Sequence, residues 1–395
     1  MPIMTVGFRH LRRPSQKREK VTRRERLPTV SIVVPVKNEE RVIGRLLEAL
    51  SRLDYPPEKT EIVIVEDGST DKTMRRCKEY MGRFSGQMKL LHKPVSNGKP
   101  SALNYAVRYA EGEIVAVFDA DNIPEQDALI KAAEYFEDPS VAALQGTTCS
   151  LNADENMLTK FVSYEEAVRF EVYVRGKDAL SLFVPLTGSC CFIRRSVLEE
   201  VGEWDEDALS EDVEMSVRLT EKGYNIKYAP DLRSWQENPA SLAHLMKQRM
   251  RWLRGCMEIA LKYGKLVTKL DRRNIDAELT LTGPYMFATC FLGYLMTVYT
   301  LLIPIQPDPV ATIMAQATSL LTIVLLLIVG VALIYVTKPR RMTNLLWLPF
   351  IYAYWSLQTF MALYALVQIV LRRPKKWVKT VKTGKVSNSA WNKRA

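Results

Sequence analysis

Four short clusters carry residue types that could do chemistry. Asp119-Ala120-Asp121 follows the apolar run Ile114–Phe118. Alternate carboxylates just past a strand end can converge on one cation. Two hard oxygens suit Mg2+ or Mn2+, which keep open positions for phosphate oxygens. Such a cation would neutralise a departing diphosphate. Ser210-Glu211-Asp212 opens a helical stretch. Acids favour a first helical turn, so capping alone accounts for them; the functional alternative is that Asp212 acts as a general base on an attacking hydroxyl. Val65-Glu66-Asp67-Gly68-Ser69 closes a second strand, either as a plain Asx turn or as a carboxylate facing a ribose or base edge. Gln248, Arg251 and Trp252 share one helical side at i, i+3, i+4. Trp offers a stacking plane for a sugar ring and Arg a planar fork for phosphate. A helix anchored at a lipid interface by Trp and Arg would carry the same residues. Asn97-Gly98-Lys99 is a generic turn opening a helix, and with no Gly five residues before Gly98 it is not a Walker loop.

These clusters need a scaffold that gathers strand ends. Ser31–Val36 reads as a short, buried parallel strand, and Glu61–Val65, Lys89–Leu91 and Ile114–Phe118 read as three further strands, the second of these brief. Between them fall helical spacings, such as Val42, Ile43, Leu46, Leu47 and Leu50, and the stretches 71–83 and 99–111. The alternation predicts a doubly wound α/β layer whose crevice lies at the carboxyl ends of the strands. Beyond residue 125 the pattern loosens: helices are expected over 127–136, 155–175, 198–202, 212–223 and 241–267, with one strand over 141–146.

The chain has 395 residues, enough for two or three domains. Charge is segregated. Residues 1–29 carry +7 and residues 372–395 carry +9, which leaves the part between them at −5 within a total of +11. Basic ends beside apolar segments point to anionic lipid head groups. Nucleic-acid binding is the rival reading of such a basic chain and is set aside, because the middle is net acidic and shows no recognition motif. Three charge-free windows, Leu279–Ile303, Val310–Thr337 and Thr343–Leu371, run 25, 28 and 29 residues, against roughly 20 needed to span a bilayer. Six cysteines, none in a Cys-x-x-Cys pair, and three scattered histidines argue for a reduced setting and against a zinc site of the usual kind.

None of the clusters decides alone; their order and spacing do. Val34-Pro35-Val36-Lys37-Asn38-Glu39, Val65-Glu66-Asp67-Gly68-Ser69, Asn97-Gly98-Lys99, Asp119-Ala120-Asp121, Thr187-Gly188-Ser189, Ser210-Glu211-Asp212 and Gln248-x-x-Arg251-Trp252 together resemble the family-2 inverting glycosyltransferases. Within them the resemblance is to the membrane-embedded branch of cellulose, hyaluronan and poly-N-acetylglucosamine synthases. It covers roughly residues 30–260 and extends loosely to Trp377-Val378-Lys379-Thr380. It implies a GT-A type, Rossmann-like nucleotide-diphospho-sugar transferase fold. It implies that Glu39 and Asp67 hold base and ribose, that Lys99 lies near the nucleotide, and that Asp119 contacts the diphosphate with Asp121 as the ligand of Mg2+ or Mn2+. Gly188 and Ser189 would line the acceptor path, Asp212 would be the catalytic base, Gln248 and Arg251 would touch the diphosphate, and Trp252 would stack on the acceptor sugar. Ser210 replaces the family's usual Thr, a mild departure that keeps the hydroxyl.

The expected organisation is a basic arm without fixed partners over 1–29, a cytosolic glycosyltransferase domain over 30–238, interfacial amphipathic helices over 239–275, a transmembrane region over 276–371 and a basic tail over 372–395. The expected substrates are a nucleotide diphosphate sugar, of the UDP type, and a glycan or lipid acceptor. The expected location is the cell membrane, multi-pass, with the catalytic domain in the cytosol. The 338–342 loop belongs on the cytosolic side by its positive charge. The tail does too, although three crossings would leave it on the other face. On the last apolar segment Trp347, Ile351, Tyr354, Gln358, Met361, Ala365 and Gln368 share a face. That face is either a glycan-conducting wall or, the favoured reading, a packing seam between helices.

Overall fold

The computed structural model describes residues 2–11, 27–84, 86–264, 271–303, 308–337, 340–375, 379–380 and 382–385. Its strands are β1 Val30–Val36, β2 Thr60–Asp67, β3 Met88–Lys93, β4 Ile114–Val117, β5 Ile123–Pro124, β6 Val141–Ser150, β7 Cys191–Arg194 and β8 Asn225–Gln236. They form one sheet in the order β3-β2-β1-β4-β7-β6-β8-β5. The first four strands are mutually parallel, β7 is antiparallel to both β4 and β6, and β8 runs parallel to β6. This is the mixed sheet of a GT-A, Rossmann-like domain.

The helices are α1 Pro2–Leu11, α2 Ile43–Leu50, α3 Thr73–Met81, α4 Lys99–Val107, α5 Ala128–Phe136, α6 Met157–Val168, α7 Arg175–Ala179, α8 Arg195–Val201, α9 Glu211–Glu221, α10 Leu242–Tyr263, α11 Arg272–Leu302, α12 Pro309–Val336 and α13 Leu348–Val370. A π-helical segment, Arg169–Val174, joins α6 to α7, so the long helix expected over 155–175 is real but wound wider at its centre. Successive strand residues point to opposite faces, and both faces are covered. Ile32 and Val34 of β1 and Ile62 and Ile64 of β2 meet α2 and α5 on one side. Val33, Val63 and Val65 meet Ala102, Leu103 and Ala106 of α4 on the other. Strands buried on both faces read as continuous apolar runs, which is why β1, β2 and β4 were visible in the sequence; β3 is mostly half-buried.

The arm departs from expectation. Residues 2–11 form α1, which docks on the π segment and α7. Glycines permit the approach: a Cβ on Gly7 would stand 2.1 Å from the Val172 carbonyl oxygen, and one on Gly176 2.1 Å from that of Ile3. Residues 12–26 of the arm, and Trp377 and Val378 of the tail, lie outside the described residues.

Among the described residues, two helices are long and apolar enough to cross a membrane by length and composition, over Ser319–Val336 and Met342–Val370. The Leu279–Ile303 window, expected as a third span, belongs to α11. The base of that helix is built into the domain that carries the sheet: Ala277 and Leu281 are buried with Phe183 and Val217. There the Lys177 ammonium, wholly buried, meets Asp276 at 2.9 Å and also donates to the Thr280 hydroxyl. The aromatic face of α13 is a packing seam. Tyr354 packs on Phe161 of α6 with ring centroids 4.9 Å apart, and Trp347, just ahead of α13, packs on Tyr164 at 5.5 Å.

Candidate active site

One cleft of about 290 Å3 opens at the carboxyl ends of β1, β2 and β4. It is lined by Glu39, Asp67, Lys99, Asp119, Asp121, Gly188, Asp212, Gln248, Arg251 and Trp252. Ser189, the remaining expected residue, stands behind the lining: its hydroxyl donates to Asn122 Oδ1 at 2.6 Å and accepts the Asp119 N–H at 3.0 Å. The structure thus brings every sequence-derived site residue to one place.

The loop after β1 turns at Asn38, whose φ of +53° is left-handed. Asn tolerates that region because its short side chain bonds locally, and here Asn38 Oδ1 accepts the Thr70 N–H at 2.7 Å. The turn delivers Glu39 to the cleft. Burial pushes the Glu39 carboxyl up to about 7, and the Lys379 ammonium at 3.0 Å opposes the rise. At the end of β2, Asp67 takes a hydrogen bond from the Ser96 hydroxyl and lies 3.5 Å from Lys93 Nζ. Gly68 follows at φ +65°, where a Cβ would stand 2.9 Å from the Pro94 carbonyl oxygen.

Lys99 is the electrostatic hub. It sits in the first turn of α4 after Gly98, whose φ is +96°. Its ammonium lies 2.8 Å from Asp119 Oδ1 and 3.3 Å from Glu211 Oε1, and donates to the Gly188 carbonyl at 2.7 Å. Burial favours the neutral amine, but these two acids outweigh it and hold Lys99 charged above an ordinary lysine. Gly188 has φ +75°, and a Cβ there would stand 3.0 Å from Lys99 Nζ and 3.1 Å from Asp212 Oδ2.

Asp212 is the second residue of α9, and one of its oxygens accepts the Val213 N–H at 2.9 Å. Ser210 precedes the helix without a side-chain capping bond, while Glu211 and Asp212 do fall in its first turn, where acids are favoured. The Ser210 hydroxyl instead faces Gly255 of α10, where a Cβ would stand 2.3 Å away. Burial, then the neighbouring Glu211 charge, pushes the Asp212 carboxyl up to about 6; Lys99, the Val213 N–H and Arg251 oppose the rise. A carboxylate so tuned is ionised near neutral pH yet more basic than a free one, as a general base should be.

α10 supplies the opposite wall. Arg251 donates to the Leu209 carbonyl at 3.0 Å, and Gln248 reaches the Thr380 hydroxyl at 3.4 Å. Trp252 is held from behind by the Arg249 guanidinium, 4.4 Å from its ring centroid. Arg249 is itself tied to Glu165 at 2.7 Å and to the Tyr354 hydroxyl at 2.9 Å.

The basic tail, expected at lipid head groups, also enters the cleft. Lys382 lies 2.7 Å from Asp121 Oδ2 and donates to the Glu237 carbonyl at 2.8 Å. Glu237 in turn accepts the Thr383 and Gly384 N–H groups at 3.0 and 3.1 Å and pairs with Arg45 at 2.6 Å. Among the described residues no three Asp, Glu, His or Cys side chains gather on one point. Asp119 and Asp121 nevertheless fit a divalent cation that completes its shell from phosphate oxygens and water; the Lys382 ammonium beside Asp121 shows that a positive charge is welcome there. Sequence reasoning missed Lys382, Glu237, Glu166 and Arg169, all in the lining. Only Lys382 had a signal, through the loose match of the adjoining tail.

Residues 28–255 match the family described as "Glycosyltransferase like family 2". A probable glycosyltransferase of Bacillus subtilis is 33% identical over 301 residues, 74% of this chain and 70% of its own. A β-monoglucosyldiacylglycerol synthase of Nostoc is 31% identical over 69% of this chain and 59% of its own. A poly-β-1,6-N-acetyl-D-glucosamine synthase of Staphylococcus epidermidis is 30% identical over 59% of this chain and 56% of its own. Against those two synthases the chain spans little more than half their length. In fold it is similar to a mannosyltransferase from Pyrobaculum calidifontis solved with GDP-Man and Mn2+, with a TM-score of 0.61 and 21% identity over 94% of this chain and 95% of that one. On the sequence match and the GT-A sheet together, the chain belongs to glycosyltransferase family 2.

Proposed function

We propose that the protein is a membrane-bound, metal-dependent inverting glycosyltransferase. It moves a sugar from a nucleotide diphosphate sugar, of the UDP type, to the end of a growing β-linked polysaccharide. The observation that carries this is the meeting of Asp212, Lys99, Asp119 and Asp121 in one cleft. An inverting transfer needs one base and a stabilised leaving group, without an enzyme nucleophile. Asp212 takes the proton from the attacking acceptor hydroxyl. Lys99, kept charged by Asp119 and Glu211, turns positive charge toward the departing diphosphate, and Arg251 and Gln248 assist from α10. Glu39 and Asp67 serve the base and ribose. Gly188 and Ser189 shape the acceptor path to Trp252. Asp119 and Asp121 would hold Mg2+ or Mn2+, which when bound supplies Lewis-acid stabilisation of the diphosphate.

The apolar residues exposed on α12 and α13, among them Leu320, Ile323, Leu327, Phe350, Phe360 and Tyr364, support membrane insertion, since a water-soluble unit rarely exposes patches of that size. The catalytic domain then faces the cytosol, where activated sugars are made, and remaining basic residues meet anionic lipid.

A second reading has support of its own. The relatives named β-monoglucosyldiacylglycerol synthase favour a single addition to a lipid acceptor. The full chain in lipid nanodiscs, given radiolabelled UDP-glucose, UDP-N-acetylglucosamine or GDP-mannose, tests both. A ladder of products supports the polymer, and one lipid-soluble product supports the single addition. Absence of nucleoside diphosphate release from every donor contradicts both.

A further inference from the structure

The face of the cleft formed by α6 and the π segment has no role so far. Glu166 and Arg169 line it, three residues apart and therefore on one side of the helix. Arg169 is the first residue of the π-helical segment, and such widened turns occur often at functional sites. The guanidinium lies 5.7 Å from the Phe170 ring centroid; among the described residues it makes no hydrogen bond or ion pair. Glu166 is held rigidly. It accepts from the Asn238 amide at 3.0 Å, and Asn238 is locked by two bonds to Asn152 at 2.8 and 3.0 Å. The second carboxylate oxygen of Glu166 takes no hydrogen bond among the described residues. Asp212, Cys256 and Trp252 line the same cleft.

We infer that Glu166 and Arg169 are the hydroxyl-reading pair of an acceptor subsite, and that its ligand is a neutral sugar ring stacked on Trp252. The inference rests on the transferase reading and deepens it by naming the acceptor's chemical class. A free carboxylate oxygen takes one ring hydroxyl as donor, and an unpaired guanidinium gives hydrogen bonds to the neighbouring ring oxygens. The wall carries one acid and one base, so it is neutral overall. A lipid phosphate would meet the Glu166 and Asp212 carboxylates as well as Arg169, and like charge disfavours it. The bare hydroxyl of a diacylglycerol would leave both charged groups unanswered, which is costly once water is excluded. The acceptor is thus a glycoside, the end of a glycan or the head of a glycolipid.

The test uses the full chain in nanodiscs with whichever of the three donors it turns over in the presence of Mn2+. Nucleoside diphosphate release is measured with water alone and with added alkyl β-glycosides, undecaprenyl phosphate or dioctanoylglycerol. The expected result is stimulation by a glycoside. In Glu166→Gln and Arg169→Ala this stimulation falls roughly tenfold or more, the loss of one charge-assisted hydrogen bond. The acceptor KM rises, release to water stays within twofold, and Arg169→Lys recovers part of the loss. An equal fall in release to water assigns the pair to folding or the donor side and overturns the inference. Stimulation by undecaprenyl phosphate or dioctanoylglycerol, but by no glycoside, overturns it while leaving the transferase intact. Absence of release from every donor defeats the transferase reading and the subsite with it.

Discussion

The Lys382 ammonium lies 2.7 Å from the Asp121 carboxylate, which is 3% exposed. A residue from the far end of the chain thus neutralises the carboxylate that would ligate a metal. Removing a partner leaves a buried charge uncompensated. Lys382→Met is therefore expected to bind Mn2+ more tightly than the parent when no nucleotide is present. The gain is about tenfold, which corresponds to ~1.4 kcal/mol. Titration by calorimetry or Mn2+ resonance reads it directly; unchanged affinity would show that the ammonium and the cation do not share this position.

Asp212, raised to about 6 by burial and Glu211, sets the pH response. The base must be ionised, so transfer rises with pH through about 6 and levels above it. Stability runs the opposite way. With the folded carboxyl raised, the native state holds a proton that the unfolded chain has released, and this contribution fades as pH climbs from the unfolded value toward 6. At pH 7.5 Asp212→Asn is accordingly expected to melt higher than the parent, by roughly 2 °C, as modest gains do in chains of this size. A lower melting point would contradict the assigned strain.

Gly188 is needed twice, for its φ of +75° and for the space between Lys99 and Asp212. The left-handed backbone alone costs an alanine roughly 1–2 kcal/mol. Gly188→Ala is expected to lose that stability in denaturant and to lose transfer as well, because the new methyl displaces both charged groups. Full activity would show that the loop relaxes freely.

The Lys177–Asp276 pair ties α7, which packs against the sheet domain, to the base of α11. Breaking a buried pair from one side costs about 3–5 kcal/mol. Lys177→Met should therefore destabilise strongly, and Lys177→Met with Asp276→Leu should recover part of the loss in the same unfolding measurement, the remainder being the Phe183 N–H that Asp276 accepts at 3.1 Å. Equal destabilisation in the double variant would assign the effect to shape and not to charge.

The part of the fold that was legible is the part whose signal is local. β1, β2 and β4 are mainly apolar runs followed by polar residues at the cleft, so the Asp67 and Asp119-x-Asp121 clusters stood out locally, whereas Glu39 came only with the family resemblance. β7 is four residues long, and β8 contains Pro230 and a shift of register against β6. Neither has a clean period-two pattern to read. Glu166 and Arg169 lie inside a helix whose polar residues look like any solvated face, until the π segment turns them into the cleft. Lys379 and Lys382 were read as lipid-facing charge. Their partners Glu39 and Asp121 lie 340 and 261 residues earlier in the chain, and sequence spacing carries no trace of such a contact. The basic arm hid α1 in the same way, since its docking depends on Gly7 meeting Val172 and Gly176 meeting Ile3 across space.

The central claim is that Asp212 is the base in a cleft shared with the nucleotide. The most direct measurement compares nucleotide binding and sugar transfer in Asp212→Asn, using the donor that the parent turns over. The account predicts a dissociation constant within about twofold of the parent, because the variant keeps shape and loses only a proton acceptor, and transfer lowered roughly 100- to 10,000-fold. Turnover at the parent's rate would remove Asp212 from the chemistry and contradict the account.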